Sequence, residues 1–340
     1  MPLCLFRPLG GCHMSAANIV WALIAVIAVP LILSGYLLLV ERGLLTIAPS
    51  RRNRIRPWIW LLPAFILLIV FLVYPVLNTV VLSLMNATST KFVGLANYGY
   101  IFTDNGMLIV LRNNLYWLVF FTLFTVVLGL LIAVLSDRVR YESAVKAMIF
   151  LPMAVSFVAA GVIWKFMYQY QPSGAAQIGT INAFLSALFP SFQPQAWLFN
   201  KSENNWALIV VGIWMWTGFS MVILSAGLKG IPESLLEAAR MDGANEFQIF
   251  FRITMPLLSS TITVVTTTLL INVLKIFDVV YVMTNGSLDT EVIANRMYKE
   301  MFNYQNFGRA SAIAVILLIA IIPVMVLNIK RFGTQKGTNI

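Results

Sequence analysis

Seven apolar runs of about twenty residues, at 18–40, 57–84, 114–135, 148–168, 206–228, 259–283 and 311–329, constrain this chain more than any other feature. Crossing about 30 Å of hydrocarbon takes roughly 20 residues in a helix, and lipid offers no water to a free backbone amide. Each run therefore reads as a helix through a bilayer. The expected fold class is an all-α polytopic membrane protein with about seven transmembrane helices. Composition agrees: 60% of the residues are hydrophobic and 11% charged, against roughly 45–50% and 25% in a soluble domain. The second run is the longest, and Pro63 and Pro75 predict a tilt or kink near its ends.

A net charge of +10 is compatible with nucleic-acid binding, but its placement argues otherwise. The basic residues sit in short loops beside apolar runs, where they set orientation. Loop 41–56 holds Arg42, Arg51, Arg52, Arg54 and Arg56; loop 137–147 holds Arg138, Arg140 and Lys146; loop 229–258 holds Lys229, Arg240 and Arg252. With Lys330, Arg331 and Lys336 in the tail, that side carries fourteen basic residues, against seven on the other. The positive-inside rule then puts the N-terminus outside, the C-terminus in the cytoplasm, and loop 229–258 on the cytoplasmic face. Lys165 and Lys275 fall inside runs.

Cys4, Cys12 and His13 are the only cysteines and the only histidine. A structural zinc site takes about four ligands, so no metal site is expected. One histidine and no clustered carboxylates leave no catalytic set, so the chain is not expected to be an enzyme. Leu9-Gly10-Gly11-Cys12 has no apolar stretch before it to make a lipidation signal. Met14 is an alternative start, with 1–13 an upstream extension.

Between the fifth and sixth runs lies a polar island of about thirty residues. Pro232 suits the first turn of a helix, where its missing N–H costs nothing. Glu233 and Glu237 fall in the half of that helix where the dipole is positive. Asp242-Gly243 is a terminator, since Gly243 can take the left-handed conformation. Asn245 with Gln248 then reads as an N-cap and capping-box pair. Pro256 is expected to stop the second helix before the chain re-enters the membrane. The result is a helix, a glycine turn and a helix lying at the membrane surface. Leu235, Leu236, Ala238 and Ala239 give the first helix an apolar face, which suits either a groove on a partner or lipid headgroups.

The spacing Glu237-Ala238-Ala239, Gly243, Ile253-x-x-Pro256 resembles the coupling loop of permeases of ATP-binding-cassette importers. Met255 stands where that family usually has leucine. Other segments are similar to the carbohydrate branch, specifically the larger maltose-type subunit. They are Tyr74-Pro75, Phe92 to Tyr98, Phe150-Leu151-Pro152, Ile163-Trp164-Lys165, Ile181-Asn182, Trp197-Leu198, Phe277-Asp278, Tyr298 to Phe302 and Phe307-Gly308. Gly286-Ser287-Leu288 departs from the family's Gly-Gly-Pro. The resemblance implies a six-helix core at 57–330 containing loop 229–258. It leaves 1–17 as an extension, 18–56 as an extra first helix with a basic loop, and 331–340 as a tail. It also implies that a separate ATPase grips the Glu237 helix and that Gly243 sets its turn. Implied partners are a second related permease, two ATPase copies that bind ATP and Mg, a solute-binding protein and membrane lipid, with no nucleic acid. The implied cargo is a sugar, oligosaccharide or glycoside; a polyol, glycerol phosphate or other small polar solute is the alternative. The chain itself carries no G-x-x-x-x-G-K-[ST] phosphate loop, so no cofactor is expected in it.

Charges within a membrane span are expensive and mark a path or a pair. Lys275 and Asp278 stand three apart and can pair on one helix face. Asn272, Lys275, Asp278 and Tyr281 equally suit the lining of a route for a hydroxyl-rich solute, with Lys165 at the same level. Trp164, Trp214 and Trp216 are candidate aromatic faces on that route. A purely structural Lys275–Asp278 pair with Lys165 snorkelling outward stays open, as does an ion-coupled carrier using those charges.

Overall fold

The computed structural model describes residues 16–46, 48–137, 139–172 and 174–335. Cys4, Cys12, His13, the extension at 1–13, Arg138 and Lys336 lie outside the described residues. Among the described residues six helices are long and apolar enough to cross a membrane, or seven when a bent pair counts as one span. Among the described residues the one β pairing is an isolated bridge between Met85 and Phe92. The chain divides into two compact units, Met1–Leu77 and Asn78–Ile340.

The first unit contains α1 (Ala16–Leu44) and most of α2 (Pro49–Ser83). The basic loop expected at 41–56 is shorter, because Pro49 starts α2 at a position where its missing N–H is harmless. Arg51, Arg52, Arg54 and Arg56 thus stand on the first turns of a helix. Glu41 receives Arg56 Nε at 2.8 Å and the Trp60 indole N–H at 3.1 Å. Pro75 does not break α2. A π-turn at Ile69–Val73 lets the Tyr74 N–H reach the Ile69 carbonyl, widening the helix just before the ring.

The second unit holds α3 (Ala96–Thr103), α4 (Asn105–Ser136), α5 (Glu142–Phe150), α6 (Phe157–Met167), α7 (Thr180–Leu188) and α8 (Asn204–Lys229). There follow α9 (Glu233–Met241), α10 (Glu246–Leu274), α11 (Asp278–Met283), α12 (Ile293–Tyr298) and α13 (Phe307–Gln335). Helix α8 is the axis of the core. Its Leu208, Val211, Met221 and Leu224 are buried with Trp117 and Phe121 of α4 and Leu258, Val265 and Leu269 of α10. A Cβ at Gly129 would strike Ser220 and the Met221 backbone, so glycine is what allows α4 to approach α8 closely. Asn182 of α7 organises the long connection 168–203: its Oδ1 accepts the Gln195 amide at 3.1 Å and the Trp197 indole N–H at 3.0 Å.

Two expected spans are broken. The run 148–168 is not one helix: α5 and α6 meet at 100°. Pro152 sits in a short 3-10 turn, Val155 is extended, and the Ser156 hydroxyl accepts the Ala159 amide at 3.2 Å to start α6 afresh. The run 259–283 is interrupted after Leu274, where Phe277 at φ −140° and ψ −60° separates α10 from α11.

Candidate functional site

Loop 229–258 is built from local rules. Pro232 occupies the N-cap itself rather than the first turn, and Glu233 opens α9. At the other end Gly243 has φ +83°. Its N–H donates to the Arg240 carbonyl at 3.0 Å, and the Ala244 N–H reaches back to Ala239 at 3.0 Å. That pair of bonds is a Schellman motif, and it needs a residue that tolerates the left-handed region. The capping box follows: Asn245 Oδ1 accepts the Gln248 N–H, and Gln248 Oε1 accepts the Asn245 N–H, each at 2.9 Å. Arg240 Nε stands 2.9 Å from Glu246, whose carboxylate holds the guanidinium above its usual pKa by hydrogen bonding.

Pro256 does not stop the second helix. The π-turn Phe250–Thr254 hands the Met255 N–H to the Phe250 carbonyl, and α10 runs on through the proline to Leu274. Proline forfeits the bond to the residue four before it, and the wider turn moves that carbonyl away from the ring. Ile253 lies half-buried in the π-turn, and Pro256 is exposed.

Helix α9 has two faces. Ser234, Glu237, Ala238 and Met241 are exposed, with Met241 88% accessible. Leu236 turns inward instead, lining a cavity of about 230 Å³ with Ile231, Ile249 and Phe250. Leu235 is exposed and Ala239 half-buried. Sequence reasoning named Leu236 for docking and missed Met241, although 234, 237, 238 and 241 follow the helical repeat.

A polar cluster anchors the base of this loop. Lys146 Nζ lies 2.6 Å from Asp137 and also contacts Glu142 and Ser225, while Lys229, the last residue of α8, bonds Glu142. Lys146 and Lys229 entered the sequence argument only as orientation charges, and Asp137, Glu142 and Ser225 did not enter it. The i,i+4 spacing of Glu142 and Lys146 was the available clue.

A second candidate site is a cavity of about 250 Å³ lined by Asn272, Lys275, Asp278, Trp216, Phe157 and Phe277, among others. Lys275 and Asp278 do not share one helix face, because Lys275 caps α10 and Asp278 starts α11. Neither forms an ion pair or side-chain hydrogen bond among the described residues, so the internal-pair expectation does not hold. Asn272 Nδ2 donates to the Thr268 carbonyl at 2.8 Å, and its Oδ1 accepts nothing among the described residues.

The other expected path residues lie elsewhere. Tyr281 stacks on Phe277 at 5.0 Å and meets Tyr298 at 5.4 Å, with Phe302 4.9 Å beyond. Trp164 is buried against Tyr168 and Trp214, at 5.2 and 5.5 Å. Lys165 lines a separate cavity that shares no residue with the one at Asn272.

Residues 125–331 match the family described as binding-protein-dependent transport system inner membrane component. An osmoprotective compounds uptake permease protein, GgtC of Synechocystis sp., is 58% identical over 274 residues, covering 81% of this chain and 98% of that protein. The alpha-glucoside transport system permease protein AglF of Rhizobium meliloti is 47% identical over 286 residues, covering 84% of each. In fold, the chain is similar to a chain of a bacterial ABC transporter involved in import of the acidic polysaccharide alginate, with TM-score 0.68 and 24% identity over 82% of this chain and 96% of that one. The chain therefore belongs to the binding-protein-dependent transport system inner membrane component family, as a multi-pass permease of the inner membrane.

Proposed function

We propose that this permease forms part of the translocation path of an ATP-driven importer for a small glycoside or oligosaccharide, and that α9 is its handle for a separate ATPase. The observation that carries the reading is the exposed face of α9, with Glu237, Ala238 and Met241 held outward on a helix fixed by a Schellman motif and a capping box. A short rigid helix with an exposed apolar patch and two exposed acids, Glu233 and Glu237, suits a groove on a partner better than lipid. Lys229 ties the end of α8, from which the chain passes to α9, to the cluster at Glu142 and Lys146, so a pull on α9 acts on an anchored helix end.

The partners are a second related permease, two copies of the ATPase with ATP and Mg, and a solute-binding protein. The N-terminus is external and loop 229–258 cytoplasmic, with 18–56 an added first helix before the core at 57–330. The cavity at Asn272, Lys275, Asp278 and Trp216 lines the cargo path, offering donors and acceptors beside aromatic walls. The alpha-glucoside relative supports a small glycoside over a polyol or glycerol phosphate.

The test is uptake in vesicles carrying the whole complex. Glu237→Arg and Gly243→Val abolish uptake and recovery of the ATPase with the permease, while both variants still insert. Normal uptake by both variants overturns the coupling role. Solute movement by the purified single chain under an ion gradient overturns the importer reading in favour of a secondary carrier.

A further inference from the structure

We infer that the cavity beside Lys165 is a binding site for one anionic phospholipid at the membrane interface remote from loop 229–258. The cavity measures about 840 Å³, within the range of ligand sites. Val162, Phe166, Phe199, Met283 and Leu288 give it apolar walls, and Lys165 is the single charge on them. Phe166 and Phe199 are 67% and 74% exposed, so the pocket opens to its surroundings.

Its depth follows from α8. Tyr168, three residues after Lys165, donates from its hydroxyl to the Ala207 carbonyl at 3.1 Å. From Ala207 to Lys229, where loop 229–258 begins, the helix rises about 33 Å at about 1.5 Å per residue. That matches a hydrocarbon core of about 30 Å, so Lys165 stands at the opposite interface, at headgroup level. Val162 lies about one turn before it on α6 and Phe166 directly after it.

Lys165 has no ion pair among the described residues. A lysine at a bilayer surface attracts an anionic headgroup by about fivefold in affinity, and an apolar slot beside it takes an acyl chain. A soluble anion uses the charge but gains nothing from the phenylalanine walls. An acidic protein patch is likewise poorly served by them. The phospholipid satisfies both features.

The full-length chain in mild detergent, titrated with phosphatidylglycerol or phosphatidylcholine and followed by native mass spectrometry, tests this. One phosphatidylglycerol is retained in preference to phosphatidylcholine. Lys165→Ala lowers that retention about fivefold, and Lys165→Arg restores it. On the unmodified protein, phosphatidylglycerol slows amine labelling of Lys165 whereas inorganic phosphate at equal concentration does not. Equal retention of the two lipids, unchanged retention in Lys165→Ala, or equal protection by inorganic phosphate overturns the proposal.

Discussion

Lys275 closes α10 and Asp278 opens α11, and the two charges line one cavity without pairing. Opposite charges left apart within an apolar run are costly, and on the proposed cargo path the solute partners them. Lys275→Gln and Asp278→Asn each raise the KM for uptake roughly 10- to 100-fold, as expected for loss of a hydrogen bond to a charged group, about 1.5–3 kcal/mol. Uptake assays on the double variant give nearly additive losses. Coupling beyond about 1 kcal/mol shows that the two form a pair during transport.

Gly243 at φ +83° is the one residue of the loop whose backbone other side chains enter at a cost. Gly243→Val loosens the Schellman turn by about 1–2 kcal/mol, and Gly243→Asn by clearly less. Amide hydrogen exchange at Gly243 and Ala244 reads this directly. Equal exchange in all three proteins shows that the turn is held by something other than its backbone.

Two contacts at the start of α10 differ in worth. Asn245→Ala removes an N-cap and costs about 1 kcal/mol of local stability. Arg240→Ala removes a surface ion pair whose members are 47% and 56% exposed, and costs clearly less. Exchange rates of the Gln248 amide separate the two. A larger effect for Arg240→Ala reverses the ranking.

Capping legibility has a simple cause. The Asn245–Gln248 box and the Gly243 turn were readable because every partner lies within five residues. The α9 helix and most spans were legible for the same reason, or from the length of an apolar run. The 100° bend after Phe150 was not, because an apolar average over 148–168 is blind to Ser156 restarting a helix. Pro256 misled in the opposite direction, since a proline ends a regular helix but not one that has just widened. Placing Lys165 and Lys275 at one level treated both spans as straight, and neither is.

Lys146 holds Asp137 and Glu142 together with its own side chain only 16% exposed. Lys146→Ala leaves Asp137 without its cation, while Glu142 keeps Lys229, and lowers stability by about 2 kcal/mol. The midpoint of thermal unfolding in detergent falls accordingly. An unchanged midpoint shows that the cluster carries little of the fold.

The wide turn at Phe250–Thr254 also spares a register. A π-turn holds one residue more than an α-turn but turns less per residue, so the surplus is absorbed where it occurs and the helix beyond keeps its azimuth. Deleting a single residue there would regularise the spiral and press the Pro256 ring against the backbone, while Asn272 would still face the cavity it shares with Trp216. The passage of Pro256 through an unbroken helix is therefore written into one surplus residue.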